Sequence, residues 1–147
     1  METMMKRALV LYNSKTGTTE RFAREIGDFL SREGVDSKVL SIFKFSPQDF
    51  TGVDIVLLGC WTSGLMIVLQ HPERTWVEFA KTLPDLHDKK VGLFTTYTLA
   101  TGSMFKGMKK HITSRRDGID LELKSRDGHI NESHKQQLAT FLHKGEQ

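Results

Sequence analysis

Three short apolar runs at residues 8–12, 55–58 and 91–94 (ALVLY, IVLL, VGLF) are separated by stretches whose apolar residues recur at helical spacing. No other feature constrains the fold as strongly. Runs of Val, Leu and Ile without a polar face suit strands buried on both sides. Such strands pair in parallel, and parallel neighbours need long right-handed crossovers. The intervening stretches provide them. Phe22, Ala23, Ile26, Phe29 and Leu30 form one stripe, stopped by Gly34; Trp76, Val77, Phe79, Ala80 and Leu83 form another, with Pro72 in its first turn. Met104, Phe105, Met108 and Ile112 make a third, capped by Ser103, and Leu138, Ala139, Phe141 and Leu142 a fourth, capped by Asn131 or Ser133. Residues 39–43 read as a further strand. The stretch GIDLELKS reads as an edge strand with Ile119, Leu121 and Leu123 turned inward, and SPQDFTG as one helical turn and a loop. The expectation is an α/β sheet with helices on both faces. With 147 residues, 38% of them hydrophobic, the chain suits one domain spanning 1–147.

Ligands of such sheets sit beyond the carboxyl ends of the strands. The loops at 13–18, 60–71, 95–102 and 125–130 are therefore where function is expected. The first belongs to the stretch NSKTGTTE, in which Ser14, Thr16, Thr18 and Thr19 all carry hydroxyls and Lys15 is the only cation. A helix beginning at or just after Thr18 points unpaired N–H groups and the positive end of its dipole into this loop, which makes an anion site. Gly17 allows close backbone approach, and the hydroxyls can donate to phosphate oxygens. An ordinary helix cap is the plainer alternative, yet a cap seldom needs so many hydroxyls. Gly17 stands alone after the first strand, so neither a Walker loop nor a dinucleotide fingerprint is present.

Other chemistries find little support. The single cysteine, Cys60, excludes an internal disulfide, reads as a buried small residue and points to a cytoplasmic address. No Cys/His spacing suggests a metal site, and His71, His87, His111, His129, His134 and His143 read as surface or helix-end residues. No stretch is long and apolar enough for a membrane span, and the N-terminus is a poor signal peptide. The net charge of +3 is too mild for a nucleic-acid binder. A local basic bias nevertheless gathers Lys106, Lys109, Lys110, Arg115, Arg116, Lys124 and Arg126, read either as a solvated face or as a docking patch for an acidic partner.

The pattern Ser14-x-Thr16-Gly17-x-Thr19 resembles the [ST]-x-T-G-x-T phosphate loop of flavodoxins. That resemblance implies a flavodoxin-like three-layer sandwich, with a five-stranded parallel sheet in the order 2-1-3-4-5, and a cofactor, flavin mononucleotide (FMN), whose phosphate the first loop holds. It also implies an aromatic wall from each of two later loops, carried here by Trp61 and Tyr97; the plainer alternative is that both close the top of the core. Ser63-Gly64 is the corresponding place for a peptide that reorients as the flavin is reduced, and Thr62, Thr96, Thr98 and Gly102 fall where the family holds the ring's polar edge. A phospho-receiver domain shares this topology, but Gly59-Cys60 stands where its acceptor aspartate should be.

The chain departs from familiar flavodoxins in being net basic and in carrying LMIVL at 65–69, an apolar run that either tucks into the chain's own core as an irregular strand or helical turn or is covered by the flavin, by a second copy in a homodimer, or by a partner. The expected function is FMN-dependent electron transfer to a redox protein. The alternatives are a small FMN-dependent oxidoreductase acting on a quinone or protoporphyrinogen-like substrate, and a flavin-free binding module.

Overall fold

In a computed structural model the protein is described over residues 5–63, 71–98, 101–116 and 118–144. Gly64 and the apolar run at 65–69 lie outside the described residues. The elements follow in the order β1 (Arg7–Asn13), α1 (Thr18–Arg32), β2 (Asp36–Ser41), a 3-10 turn (Pro47–Phe50), β3 (Ile55–Ser63), β4 (His71–Pro72), α2 (Arg74–Ala80), β5 (Lys90–Thr96), α3 (Met104–Lys110), β6 (Leu121–Ser125) and α4 (Glu132–His143). The parallel strands lie in the order β2-β1-β3-β5-β6, which is 2-1-3-4-5 when they alone are numbered; β4 pairs antiparallel with the end of β3.

Alternation along the central strands builds two cores. Leu9 and Leu11 of β1, with Val56, Leu58 and Cys60 of β3, face α2 and α3, and Trp76, Phe79, Met104 and Met108 complete that side. Ala8, Val10 and Tyr12, with Ile55 and Leu57, face α1 and α4, where Phe22, Ile26, Leu30, Leu138 and Phe141 pack. Burying each such side chain is worth about 1.5 to 3 kcal/mol, so a sheet covered on both faces is the favourable arrangement.

Three boundaries differ from the sequence expectation. The second strand is β2, at Asp36–Ser41 rather than 39–43, because Ser41 turns the chain: its carbonyl accepts from Lys44 N–H at 2.9 Å and its hydroxyl from Phe43 N–H at 3.2 Å. Phe43 is left 70% exposed. Pro72 belongs to β4, and Glu73 is the N-cap of α2, its carboxylate accepting from Thr75 N–H. Leu121 and Leu123 face inward as expected, but Ile119 precedes β6 and packs on the opposite core.

The chain leaves β1 for β2 on one side of it and returns for β3 on the other. This reversal opens a crevice above the carboxyl ends of β1 and β3, where a ligand of an open α/β sheet binds.

Candidate functional site

The loop after β1 is shaped by Ser14 and Gly17. Ser14 Oγ accepts from the amides of Gly17 (3.0 Å) and Glu20 (3.2 Å), so it does the work of a helix cap from outside the helix. Gly17 is the N-cap residue itself, in the left-handed region at φ +96°, where a side chain would be strained. The amides of Thr18 and Thr19, in the first turn of α1, have no intrahelical acceptor.

A cavity of about 260 Å³ lies beside this loop, lined by Lys15, Thr16, Thr18, Trp61, Thr62, Thr96, Tyr97, Thr98 and Arg126. Every one of these but Arg126 was expected from sequence. None of the described residues that line it carries a carboxylate. Lys15 Nζ stands 4.8 Å from the Trp61 ring centroid, and the Arg126 guanidinium 5.5 Å from that of Tyr97, so each aromatic carries a cation on its face.

Of the remaining expected residues Gly64 lies outside the described ones, and the others do not line this cavity. Thr19 is buried, its Oγ1 2.5 Å from Thr96 Oγ1, tying the start of α1 to the end of β5. Ser63 lies in β3, where it pairs with His71. Gly102, at φ +49°, forms the turn ahead of α3. Thr95 donates to Cys60 O at 2.6 Å, leaving its oxygen to accept from the Thr62 hydroxyl at 2.9 Å.

Arg126 was counted from sequence in the basic stretch, and its loop among those beyond the strands' carboxyl ends, but it was not expected to line the cofactor cavity. That loop is pinned from several sides. Tyr97 N–H donates to Ser125 O (3.3 Å), Arg21 donates to Asp127 O (2.9 Å), and Glu25 accepts from Ile130 N–H (2.9 Å) and meets the His129 ring. Gly128, at φ +80°, lies so close to Thr18 that a Cβ there would stand 2.5 Å from the Thr18 carbonyl oxygen. His134, read from sequence as a surface or helix-end residue, lies in the first turn of α4 and is buried. Its Nδ1 accepts from Asn131 N–H and its Nε2 donates to Lys124 O, joining α4 to the end of β6.

Below the cavity floor, Asn13 donates to Glu73 and to Thr75, both at 3.0 Å. Burial opposes ionisation of Glu73, yet hydrogen bonds from the Thr75 hydroxyl and amide and from Asn13 hold its carboxyl below the ordinary value of 4.5. Burial pushes the Cys60 thiol up to about 12, so it is no nucleophile at neutral pH. Glu25 is likewise lowered: burial acts against ionisation, and Ile130 N–H and His129 overcome it. A carboxylate with a depressed folded-state pKa contributes stability above its unfolded value and loses it as pH falls through the folded one. Unfolding free energy should therefore decline as the pH falls below about 4.5, and less steeply in Glu73→Gln; parallel pH profiles of the two proteins would contradict this. No group of side chains among the described residues could hold a metal ion, and no helix there is long and apolar enough to cross a membrane.

The residues present fit a planar ligand with a terminal phosphate: two aromatic rings, a hydroxyl-rich helix start, and a lining in which no described residue carries a carboxylate. Comparison with known proteins agrees. The family model for the flavodoxin domain matches residues 9–146. A flavodoxin of Megasphaera elsdenii is 32% identical over 103 residues, covering 69% of this chain and 72% of its own. One from Maridesulfovibrio salexigens is 29% identical over 105 residues, covering 68% and 72%. Among solved structures, the two-electron reduced Megasphaera elsdenii flavodoxin superposes with a TM-score of 0.74 at 24% identity, covering 91% of this chain and 96% of that one.

Proposed function

The chain belongs to the flavodoxin family, and from that premise we propose that the loop Ser14 to Thr19 holds the phosphate of its FMN while Trp61 and Tyr97 flank the ring. The protein is an FMN-binding electron-transfer flavoprotein that serves redox partners. Bound FMN supplies the redox chemistry, taking up and releasing one or two electrons. The side chains bind, orient and shelter it. The observation that carries the assignment is the cavity between Trp61 and Tyr97, bounded by the helix start at Thr18 and lined by no described carboxylate.

Each residue has a definite part. Amides at the start of α1 and the Thr16 and Thr18 hydroxyls donate to phosphate oxygens, with Lys15 adding charge. Ser14 keeps the loop in shape through its two amide bonds, and Thr19 anchors it to β5. Thr62, Thr96 and Thr98 offer hydroxyls to the ring's polar edge, with Ser63 at the end of β3 and Gly102 in the turn ahead of α3; the Ser63-Gly64 peptide is assigned the reorientation that accompanies reduction of the flavin. The two cores share one sheet, which supports a single domain over 1–147, and the lone cysteine supports a cytoplasmic location.

Replacing Thr16 by Val should weaken FMN by about 1 to 3 kcal/mol, because a charged acceptor loses a donor, while riboflavin binding stays unchanged. Equal losses for the two ligands in a fluorescence titration would rule out the phosphate role.

The partner is proposed to be acidic. Within the basic stretch, Lys109 pairs with Glu122, Arg115 donates to Leu83 O and Lys81 O, and Arg116 binds Lys89 O and Asp120. Lys106, Lys110 and Lys124 remain exposed, with Lys15 and Arg126 at the cavity rim. Electrostatic steering by such a face speeds association at low salt. The double variant Lys106→Glu/Lys124→Glu should slow electron transfer to an acidic redox protein about three- to tenfold at low ionic strength, with the difference vanishing at high salt. A salt-independent rate would remove the steering role.

A further inference from the structure

Every described residue lining the cavity between the aromatic rings is neutral or cationic, and one of its cations is delivered by a loop that the fold fixes in place. We propose that Arg126 is the charge-compensating residue of this flavoprotein: it favours reduced over oxidised cofactor and raises the two-electron potential. The proposal rests on the FMN reading above and deepens it.

Three observations converge. The bond from Tyr97 N–H to Ser125 O sets the end of β6 against the second aromatic, with Arg126 as the next residue. The guanidinium lies over the Tyr97 ring and lines the cavity. Arg21, Glu25 and the close approach of Gly128 to Thr18 hold its loop against α1, so the charge is placed by the fold rather than by a free chain.

The chemistry follows from charge balance. When a reduced redox protein, or dithionite in the laboratory, gives two electrons to the oxidised ring system, one proton is taken up at neutral pH and one negative charge remains on the ring. The oxidised ring is neutral. A fixed cation beside it therefore stabilises the product of reduction and leaves the starting form little affected. A guanidinium stays protonated throughout the accessible pH range, so this contribution does not itself titrate away. Lys15 faces the other aromatic on a longer, flexible stem and adds to the same field.

An opposite charge within a few ångströms shifts such an equilibrium by about one to three powers of ten. Arg126 is exposed to solvent, so the low end applies. The test is the two-electron midpoint potential of the FMN-loaded protein, measured for wild type, Arg126→Gln and Arg126→Lys together with the dissociation constant of oxidised FMN. Arg126→Gln should lower the ratio of reduced to oxidised affinity about tenfold, a fall of about 30 mV for a two-electron couple. Arg126→Lys should retain most of the wild-type potential, and in Arg126→Gln the reduced cofactor should lose more affinity than the oxidised one. An unchanged potential in Arg126→Gln overturns the proposal, as do equal falls in the two variants, which would show packing on Tyr97 rather than charge. A salt series on wild type gives a second reading without substitution: rising ionic strength should lower the potential, and a flat or rising trend overturns the proposal. A wild-type protein that takes up no FMN overturns the functional reading as well, whereas FMN uptake with a potential indifferent to Arg126 overturns this proposal alone.

Discussion

Gly128→Ala is expected to lower the unfolding free energy by about 2 to 5 kcal/mol and to weaken FMN binding with it. Two costs add. At φ +80° a residue with a side chain sits in the left-handed region, at about 1 to 2 kcal/mol. The new Cβ would also stand 2.5 Å from the Thr18 carbonyl oxygen and 3.0 Å from Thr18 Cγ2. Overpacking of that kind costs about 1 to 3 kcal/mol more, since the obstacle is backbone and cannot swing aside. Thr18 opens α1 and lines the cavity, so any movement that relieves the clash shifts the amides that face the phosphate. Denaturant unfolding and an FMN titration check the two halves separately. Wild-type values in both would mean that the loop after β6 does not position the start of α1.

Gly59→Ala should cost about 3 kcal/mol or more, through the core alone. Gly59 of β3 pairs with Phe94 of β5, and a Cβ there would stand 2.0 Å from Phe94 Cε2. The ring has nowhere to go: Phe94 is fully buried and meets Phe22 edge-on, with centroids 5.9 Å apart. Adding Phe94→Leu should return part of the loss, because neighbours in contact are energetically coupled. Urea denaturation of the single and double variants measures the coupling, and strictly additive losses would place the strain elsewhere.

The sheet and its helices were legible because their signals are local. Doubly buried strands such as ALVLY have no polar face, and stripes such as Phe22, Ala23, Ile26 and Leu30 recur at helical spacing. The hydroxyl loop was legible for the same reason. Boundaries set by a single hydrogen bond were not: nothing in the run at 39–43 announces that the Ser41 hydroxyl and carbonyl will claim the next amides. His134 shows a different limit. Its ring serves as the acceptor in a capping box where a glutamate is the usual signature, so its burial follows from partners on β6 and α4 that sequence spacing does not join. Arg126 was read only as part of a basic stretch, because its place over Tyr97 depends on how the loop after β6 is pinned, which neither composition nor strand order reveals.

The bond between Tyr97 N–H and Ser125 O also sets an order of events during synthesis. The hydroxyl loop and Trp61 leave the ribosome early, but Tyr97 receives its backbone partner and its cation only after β6 has been made and has docked. Chains grow at about 5 to 20 residues per second, so for a time the nascent protein offers FMN a phosphate loop without the finished ring site. A cofactor gripped by both the loop and the ring site favours the finished fold over its precursors: at a concentration a thousandfold above its dissociation constant it adds about 4 kcal/mol to the stability of the folded chain.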